Sequence, residues 1–285
     1  MIIDRPQAKL AAKNCIRTAR ISPYQISTVY VLITLALGTF DQFMVRMFGE
    51  PYYIDYYNYV LMPSGINWFI SILVSLMSMI LAAGFTTYCL AIRRGKEMPL
   101  STLFDGFSIA GKVILLQIVT GIFIALWTML FIIPGFIAMY RYRFALYNLY
   151  ENPGIGVMEA LNMSKQQTLG YKGQLFMLDL SYIGWLLLAS LTSVVQTGYI
   201  YACIFQDPGY YLANPAQVYA ITLPMPVGLQ VVLGCVWPLL VALFYLPVYQ
   251  CTELGYFDTA KHTSGVGEGA APKDPGSFDS GWGGF

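Results

Sequence analysis

The stretch Met129–Gly173, MLFIIPGFIAMYRYRFALYNLYENPGIGVMEALNMSKQQTLGYKG, decides how the chain is organised. It contains Pro-Gly at residues 134–135, a short apolar run with two arginines, a second proline and a polar segment. Proline lacks a backbone N–H and glycine adopts unusual dihedral angles, so both interrupt helices. The stretch therefore predicts a turn, a short apolar helix and a polar helix in succession.

The composition indicates that the chain folds in lipid. Of its 285 residues, 57% are hydrophobic and 11% are charged. A soluble domain carries roughly 25% charged residues. The net charge of +1 provides no basic surface for nucleic acid. The five cysteines and one histidine lack the spacing of a zinc site, so we expect neither a metal nor a cofactor.

Six apolar runs approach the length of about 20 residues that crosses a bilayer as a helix. These runs are residues 27–44, 67–92, 113–133, 136–150, 174–195 and 227–249. They predict an all-α polytopic membrane protein with six transmembrane helices.

The domain organisation follows from these runs. Residues 1–22 are predicted to form a basic cytoplasmic arm, and residues 23–261 a six-span membrane domain. Residues 262–285 are rich in Gly, Ser, Asp and Pro, a composition that buries too little apolar surface to fold, so they predict a disordered cytoplasmic tail.

The run 136–150 is short, since fifteen residues of helix extend only about 22 Å. Two arrangements are open: a tight hairpin with the run 113–133, or one kinked helix made of both runs. We favour the hairpin, because a single helix would bring Arg46 and Lys165 to the same side of the membrane.

The basic residues predict the orientation. Thirteen of the sixteen Lys and Arg residues lie in the arm, in the segments 92–112 and 151–172, and within residues 261–285, whereas Arg46 alone lies on the opposite side. This bias places both termini in the cytoplasm.

Two short amphipathic helices are predicted on the cytoplasmic surface. In the first, within residues 99–107, apolar residues recur at i, i+3, i+4 and i+7. They are Leu100, Leu103, Phe104 and Phe107. The second covers residues 156–170, with one face apolar or small and the other polar. The first of these faces contains Val157, Ala160, Leu161 and Ser164, and the second contains Glu159, Asn162 and Gln166.

Arg141 and Arg143 lie near the middle of a membrane run, where an arginine costs about 2.5–3.5 kcal/mol and usually faces protein or water. Asp179, in the next predicted span, is the natural partner. Residues two apart on a helix point roughly 200° away from each other. One arginine therefore pairs with Asp179, and the other extends to the cytoplasmic surface. The three residues form either a structural ion pair or a site for an anionic headgroup or substrate.

Three polar residues within the apolar runs allow two interpretations. Gln117, Thr120 and Gln230 line a polar cavity, or they form hydrogen bonds between helices.

The sequence shows no nucleophile beside a base and no cofactor-binding motif. A lipid hydrolase would need a second carboxylate or a histidine near Asp179, and no predicted span provides one. We therefore expect a protein that is not an enzyme.

The motifs IIPG at Ile132–Gly135, ENP at residues 151–153 and EALNMSKQQTLGYKGQLF at Glu159–Phe176 resemble a bacterial integral-membrane family of unknown function, domain of unknown function 975. The region is also similar to the membrane region attached to some glycerophosphodiester phosphodiesterases. The resemblance covers about residues 80–260. It implies a six-helix membrane fold and no established activity.

These observations predict a non-enzymatic, multi-pass protein of the cell membrane that binds lipid or a partner protein at the inner leaflet in an accessory or scaffold role. The alternative is a small transporter, or an export or immunity factor, for a small or peptide substrate. The expected partners are membrane lipids, another membrane protein or a second copy of the chain.

Overall fold

The computed structural model describes residues 3–19, 21–53, 59–213, 217–218, 221 and 223–267. This part is helical apart from one antiparallel hairpin, in which β1 (Glu50–Tyr53) pairs with β2 (Tyr59–Met62). The α-helices are α1 (Arg5–Thr18), α2 (Pro23–Phe48), α3 (Gly65–Arg93), α4 (Ala110–Leu130), α5 (Ile132–Arg141), α6 (Ala145–Glu151), α7 (Val157–Gln167), α8 (Lys172–Leu180), α9 (Ile183–Gln206), α10 (Pro208–Ala213), α11 (Val227–Val231) and α12 (Trp237–Ser264). A 3₁₀ segment, Leu100–Ile109, precedes α4, and a π-helical segment, Val232–Val236, precedes α12.

Five helical stretches of the described chain are long and apolar enough to cross a membrane. They are Pro23–Phe48, Gly65–Arg93, Leu100–Leu130, Ile183–Gln206 and Gly228–Ser264. The predicted all-α polytopic membrane fold is therefore confirmed. A sixth crossing would consist of α5 and α6 together, neither of which reaches that length alone, so the count of six stays a prediction.

The structure decides between the hairpin and the kinked helix. In one continuous helix, Phe123 and Tyr142 would lie roughly 28 Å apart, yet their ring centroids are 5.8 Å apart. The chain reverses at Phe131, whose backbone is extended, and not at the predicted Pro-Gly turn. Gly135 instead allows the two helices to approach, because a Cβ atom there would lie 2.1 Å from Oγ1 of Thr128.

Two predicted spans are divided. The run 136–150 is broken at residues 142–144, where Arg143 lies between α5 and α6. The predicted span 174–195 is divided into α8 and α9 at residues 181–182, and its long helix continues to Gln206. The first break places the charged side chain of Arg143 outside a regular helix, where it contacts α8 and α12.

The first predicted amphipathic helix is wrong, because residues 100–109 form a 3₁₀ segment in which the expected α-helical face does not exist. Leu103 is buried, whereas Leu100, Phe104 and Phe107 are exposed. A Cβ atom on Gly84 of α3 would lie 1.9 Å from the Leu103 carbonyl oxygen, so the two backbones touch.

The second predicted amphipathic helix is confirmed as α7. The predicted apolar or small face is buried and the predicted polar face is exposed. The buried residues include Val157, Ala160, Leu161 and Ser164, and the exposed ones include Glu159, Asn162 and Gln166.

Side-chain burial is concentrated at the end of the bundle where α3, α6 and α12 finish, which we call the basic end. In α3 the buried residues lie mainly within 80–92, and in α12 mainly within 247–260, whereas α9 has none. The predicted arm contains α1, which packs on α12 with Ala12 and Ile16 buried. The predicted boundary at residue 262 is corrected, because α12 continues to Ser264; the rest of the predicted tail, 268–285, lies outside the described residues.

Candidate functional site

Arg143 bonds two carboxylates from two other helices. Its Nη1 and Nη2 atoms donate to Asp179 of α8 at 2.7 and 3.0 Å, and its Nε atom donates to Glu253 of α12 at 2.7 Å. The hydroxyls of Tyr140 and Tyr249 donate to Asp179 at 2.9 and 2.8 Å, and Arg143 also bonds the Tyr249 hydroxyl. These five residues form the Arg143 cluster. Charge-assisted, bidentate hydrogen bonds of this kind are stronger than hydrogen bonds between neutral groups.

Glu253 is the residue of the Arg143 cluster that was not predicted from the sequence. The predicted last span ends at Tyr249, whereas α12 continues past it and places Glu253 inside the bundle with 5% of its side chain exposed. The expectation that no second carboxylate lies near Asp179 is therefore corrected. The i, i+4 spacing of Tyr249 and Glu253 was the available signal, since such residues share a helix face.

Arg141 differs sharply from Arg143. Its Nε atom is buried and has no hydrogen-bond partner in the described structure. Its guanidinium lies 6.0 Å from the centroid of the Tyr142 ring. Ser164 of α7 and Thr168, directly after α7, donate to its backbone carbonyl at 2.9 and 3.3 Å, which fixes the position of the residue without neutralising its charge. The two arginines are thus separated into one that pairs with carboxylates and one that does not.

The predicted polar set does not form one cavity. Gln230 lies on a cavity between α9 and the start of the last membrane helix, whose lining includes neither Gln117 nor Thr120. Gln230 donates to the carbonyls of Leu223 and Met225 at 3.0 and 2.9 Å, so its amide group stabilises the preceding turn. Gln117 is exposed on α4, and Thr120 is half-buried there. The prediction that these three residues share a cavity is wrong, because α4 lies elsewhere in the bundle.

A second ion-pair network joins helix ends at the basic end. Arg93 donates to Asp258 at 2.9 Å, and Arg94 donates to Asp258 at 3.0 Å and also bonds Glu151. Lys261 donates to Glu151 at 2.5 Å. Networks of this kind contribute more than isolated surface pairs. The contacts fasten the last turns of α3 and α6 to α12.

Metal binding is not indicated by this geometry. Within the described residues, no group of three or more His, Cys, Asp and Glu side chains is arranged to hold a metal ion. The two carboxylates of the Arg143 cluster instead bond one guanidinium.

Residues 129–261 match the family model described as "Protein of unknown function (DUF975)". The match extends from the α4–α5 turn through most of α12, and it includes the whole Arg143 cluster and Arg141. It supports the resemblance to a family of unknown function over this region. No curated protein and no solved structure matches the chain.

Proposed function

We propose that this protein is a non-enzymatic, multi-pass protein of the cell membrane that binds anionic phospholipid at its basic end, with both termini in the cytoplasm. The observation that carries the proposal is the Nε atom of Arg141, which is buried and has no hydrogen-bond partner among the described residues. A buried N–H donor without an acceptor is costly, and a lipid phosphate would supply both an acceptor and a negative charge.

The surroundings of Arg141 agree with this role. Lys165 is exposed on α7 and directly follows Ser164, whose hydroxyl donates to the Arg141 carbonyl. Basic residues beside a membrane helix attract anionic headgroups. Of the three predicted residues, the proposed site therefore contains only Arg141, since Arg143 and Asp179 bond each other. No phosphodiester chemistry is part of the proposal.

Native mass spectrometry of the purified protein with phosphatidylglycerol tests the site. Arg141→Met should lower lipid occupancy about fivefold, since a basic residue near the surface contributes about 1 kcal/mol. Arg46→Met, which removes the same charge from the opposite side, is the matched control. Equal occupancy in the Arg141→Met variant and the unchanged protein would refute this proposal.

Transport of a small or peptide substrate is a second candidate, and one feature favours it. A cavity of about 520 Å³ lies between α9 and the π-helical segment before α12, with Gln196 and Gln230 in its wall. π-helical segments occur frequently at functional sites. Transport predicts that Leu233→Cys, on this cavity, reacts with a membrane-impermeant maleimide from both sides of the bilayer. Reaction from neither side would count against transport.

A further inference from the structure

A small cavity lies directly beside the Arg143 cluster, between the α8–α9 junction and α12. Its volume is about 230 Å³. Its lining consists of Asp179, Tyr182, Leu186, Tyr245, Leu246 and Tyr249. Pockets for drug-sized ligands are roughly 300–1,000 Å³, so this cavity suits a ligand the size of a headgroup.

The charge next to the cavity is negative. The Arg143 cluster contains one guanidinium and two carboxylates, those of Asp179 and Glu253, so one negative charge is not neutralised within it. Asp179 is the carboxylate that reaches the cavity, and 26% of its side chain is exposed. Because a low-dielectric environment strengthens charge interactions, the cavity attracts a cation and disfavours an anion.

The hydrogen bonds of Asp179 restrict which cation fits. Each carboxylate oxygen already accepts two hydrogen bonds. One comes from Arg143, and the other comes from the hydroxyl of Tyr140 or of Tyr249. A ligand with N–H donors would find these acceptors occupied. A quaternary ammonium group has no donor to satisfy, and it needs only the charge and the aromatic ring faces.

Three of the lining residues are tyrosines, and their rings provide the aromatic faces that a quaternary ammonium group needs. The rings of Tyr182 and Tyr249 pack edge to face with centroids 5.1 Å apart, and Tyr245 stacks with Trp185 at 6.2 Å. Aromatic rings bind quaternary ammonium groups through cation–π attraction. A hard metal ion is a poorer fit, because it requires about six oxygen ligands and most of this lining is carbon.

A cation of the chain itself already lies on one of these rings. Lys9 of α1 places its Nζ atom 4.3 Å from the centroid of the Tyr182 ring. The helix that carries Lys9 is held nearby, because the backbone N–H of Ile3 donates to the side chain of Gln174 at 2.9 Å. The ring that forms part of the cavity wall is therefore attractive to ammonium groups.

We infer that this cavity is a binding site for a quaternary ammonium group, and that Lys9 competes with the ligand for the Tyr182 ring. The ligand is either a small soluble cation or the choline headgroup of a lipid. The inference goes beyond the proposed binding of anionic lipid and uses different residues.

Isothermal titration of the full-length protein in detergent micelles with tetramethylammonium tests the inference. Tyr245→Leu should weaken binding about fivefold, because it removes one ring face. Lys9→Met should tighten binding, whereas Lys13→Met, which removes the same charge from an exposed position of α1, should leave it unchanged. An uncharged carbon isostere of the ligand should not bind.

A second experiment distinguishes the two sources of the ligand. In nanodiscs, native mass spectrometry should show tetramethylammonium displacing retained phosphatidylcholine if the site takes a lipid headgroup, and binding without displacement if it takes a soluble cation. Absence of tetramethylammonium binding, or equal binding by Tyr245→Leu and the unchanged protein, would overturn the inference. Either result would leave the Arg141 site unaffected, since that site is tested with phosphatidylglycerol.

Discussion

Replacing Arg143 with methionine tests whether the Arg143 cluster holds the bundle together. The substitution keeps an apolar stem of similar length and removes the guanidinium that bonds Asp179 and Glu253. Glu253 has only 5% of its side chain exposed and cannot turn to water. Breaking a buried ion pair by removing one partner costs about 3–5 kcal/mol, because the remaining charges are uncompensated. We expect the unfolding midpoint to fall by on the order of 10 °C.

The assay is thermal unfolding of the detergent-purified protein, followed by loss of the monomeric peak in size-exclusion chromatography. Arg141→Met is the matched control, and it should change the midpoint little, because Arg141 bonds no carboxylate of the described residues. A triple variant, Arg143→Met with Asp179→Asn and Glu253→Gln, should recover much of the loss, since it leaves no unpaired charge. Equal losses in Arg143→Met and Arg141→Met would refute the reasoning.

Three further predictions concern packing, reactivity and topology. Gly84→Ala should destabilise the fold by about 1–3 kcal/mol in the same thermal assay, because it separates two touching backbones, whereas Gly121→Ala, with open space around it, should be neutral or mildly stabilising; equal midpoints would contradict the close contact. Burial and the nearby Cys251 raise the pKa of the Cys15 thiol, so a smaller fraction is thiolate at mildly alkaline pH. Its alkylation, measured by mass spectrometry, should therefore be slower in the folded protein than in sodium dodecyl sulfate, and equal rates would argue against burial. Met129→Cys, near the end of α4, and Lys165→Cys should be labelled by an impermeant maleimide from opposite sides of the membrane, and labelling of both from one side would contradict the hairpin.

The membrane class and the reversal of the chain after α4 were predictable from sequence. Long apolar runs indicate helices surrounded by lipid, and the distribution of basic residues favoured a hairpin of the runs 113–133 and 136–150 over a single kinked helix. The position of the reversal was not predictable, because Pro134 is tolerated in the first turn of α5 while the chain turns at Phe131. The Pro-Gly pair thus predicted the region of the turn but not the residue at which the chain reverses.

The pairing of Arg143 with Asp179 followed from simple charge compensation, since a membrane arginine needs a partner. The sequence did not predict that Arg143, and not Arg141, is the paired arginine. The pairing depends on the break at residues 142–144, which turns Arg143 toward α8 and α12. Glu253 was not predicted because a span defined by hydropathy ends where polar residues begin, although the helix α12 continues beyond that point. A buried carboxylate beyond the apolar run is visible only once the tertiary contacts are known.

The uneven burial of the helices has a mechanical consequence. The basic-end network and the Arg143 cluster tie the helices at one end, while α9 and the far half of α3 contribute almost no buried residues. The far half of α3 is nevertheless held to α2, since Ser71 donates to Asp41 at 2.6 Å, whereas α9 has no buried residue. A change in hydrocarbon thickness should therefore alter the tilt of α9 more than the tilt of the helices that are joined to one another.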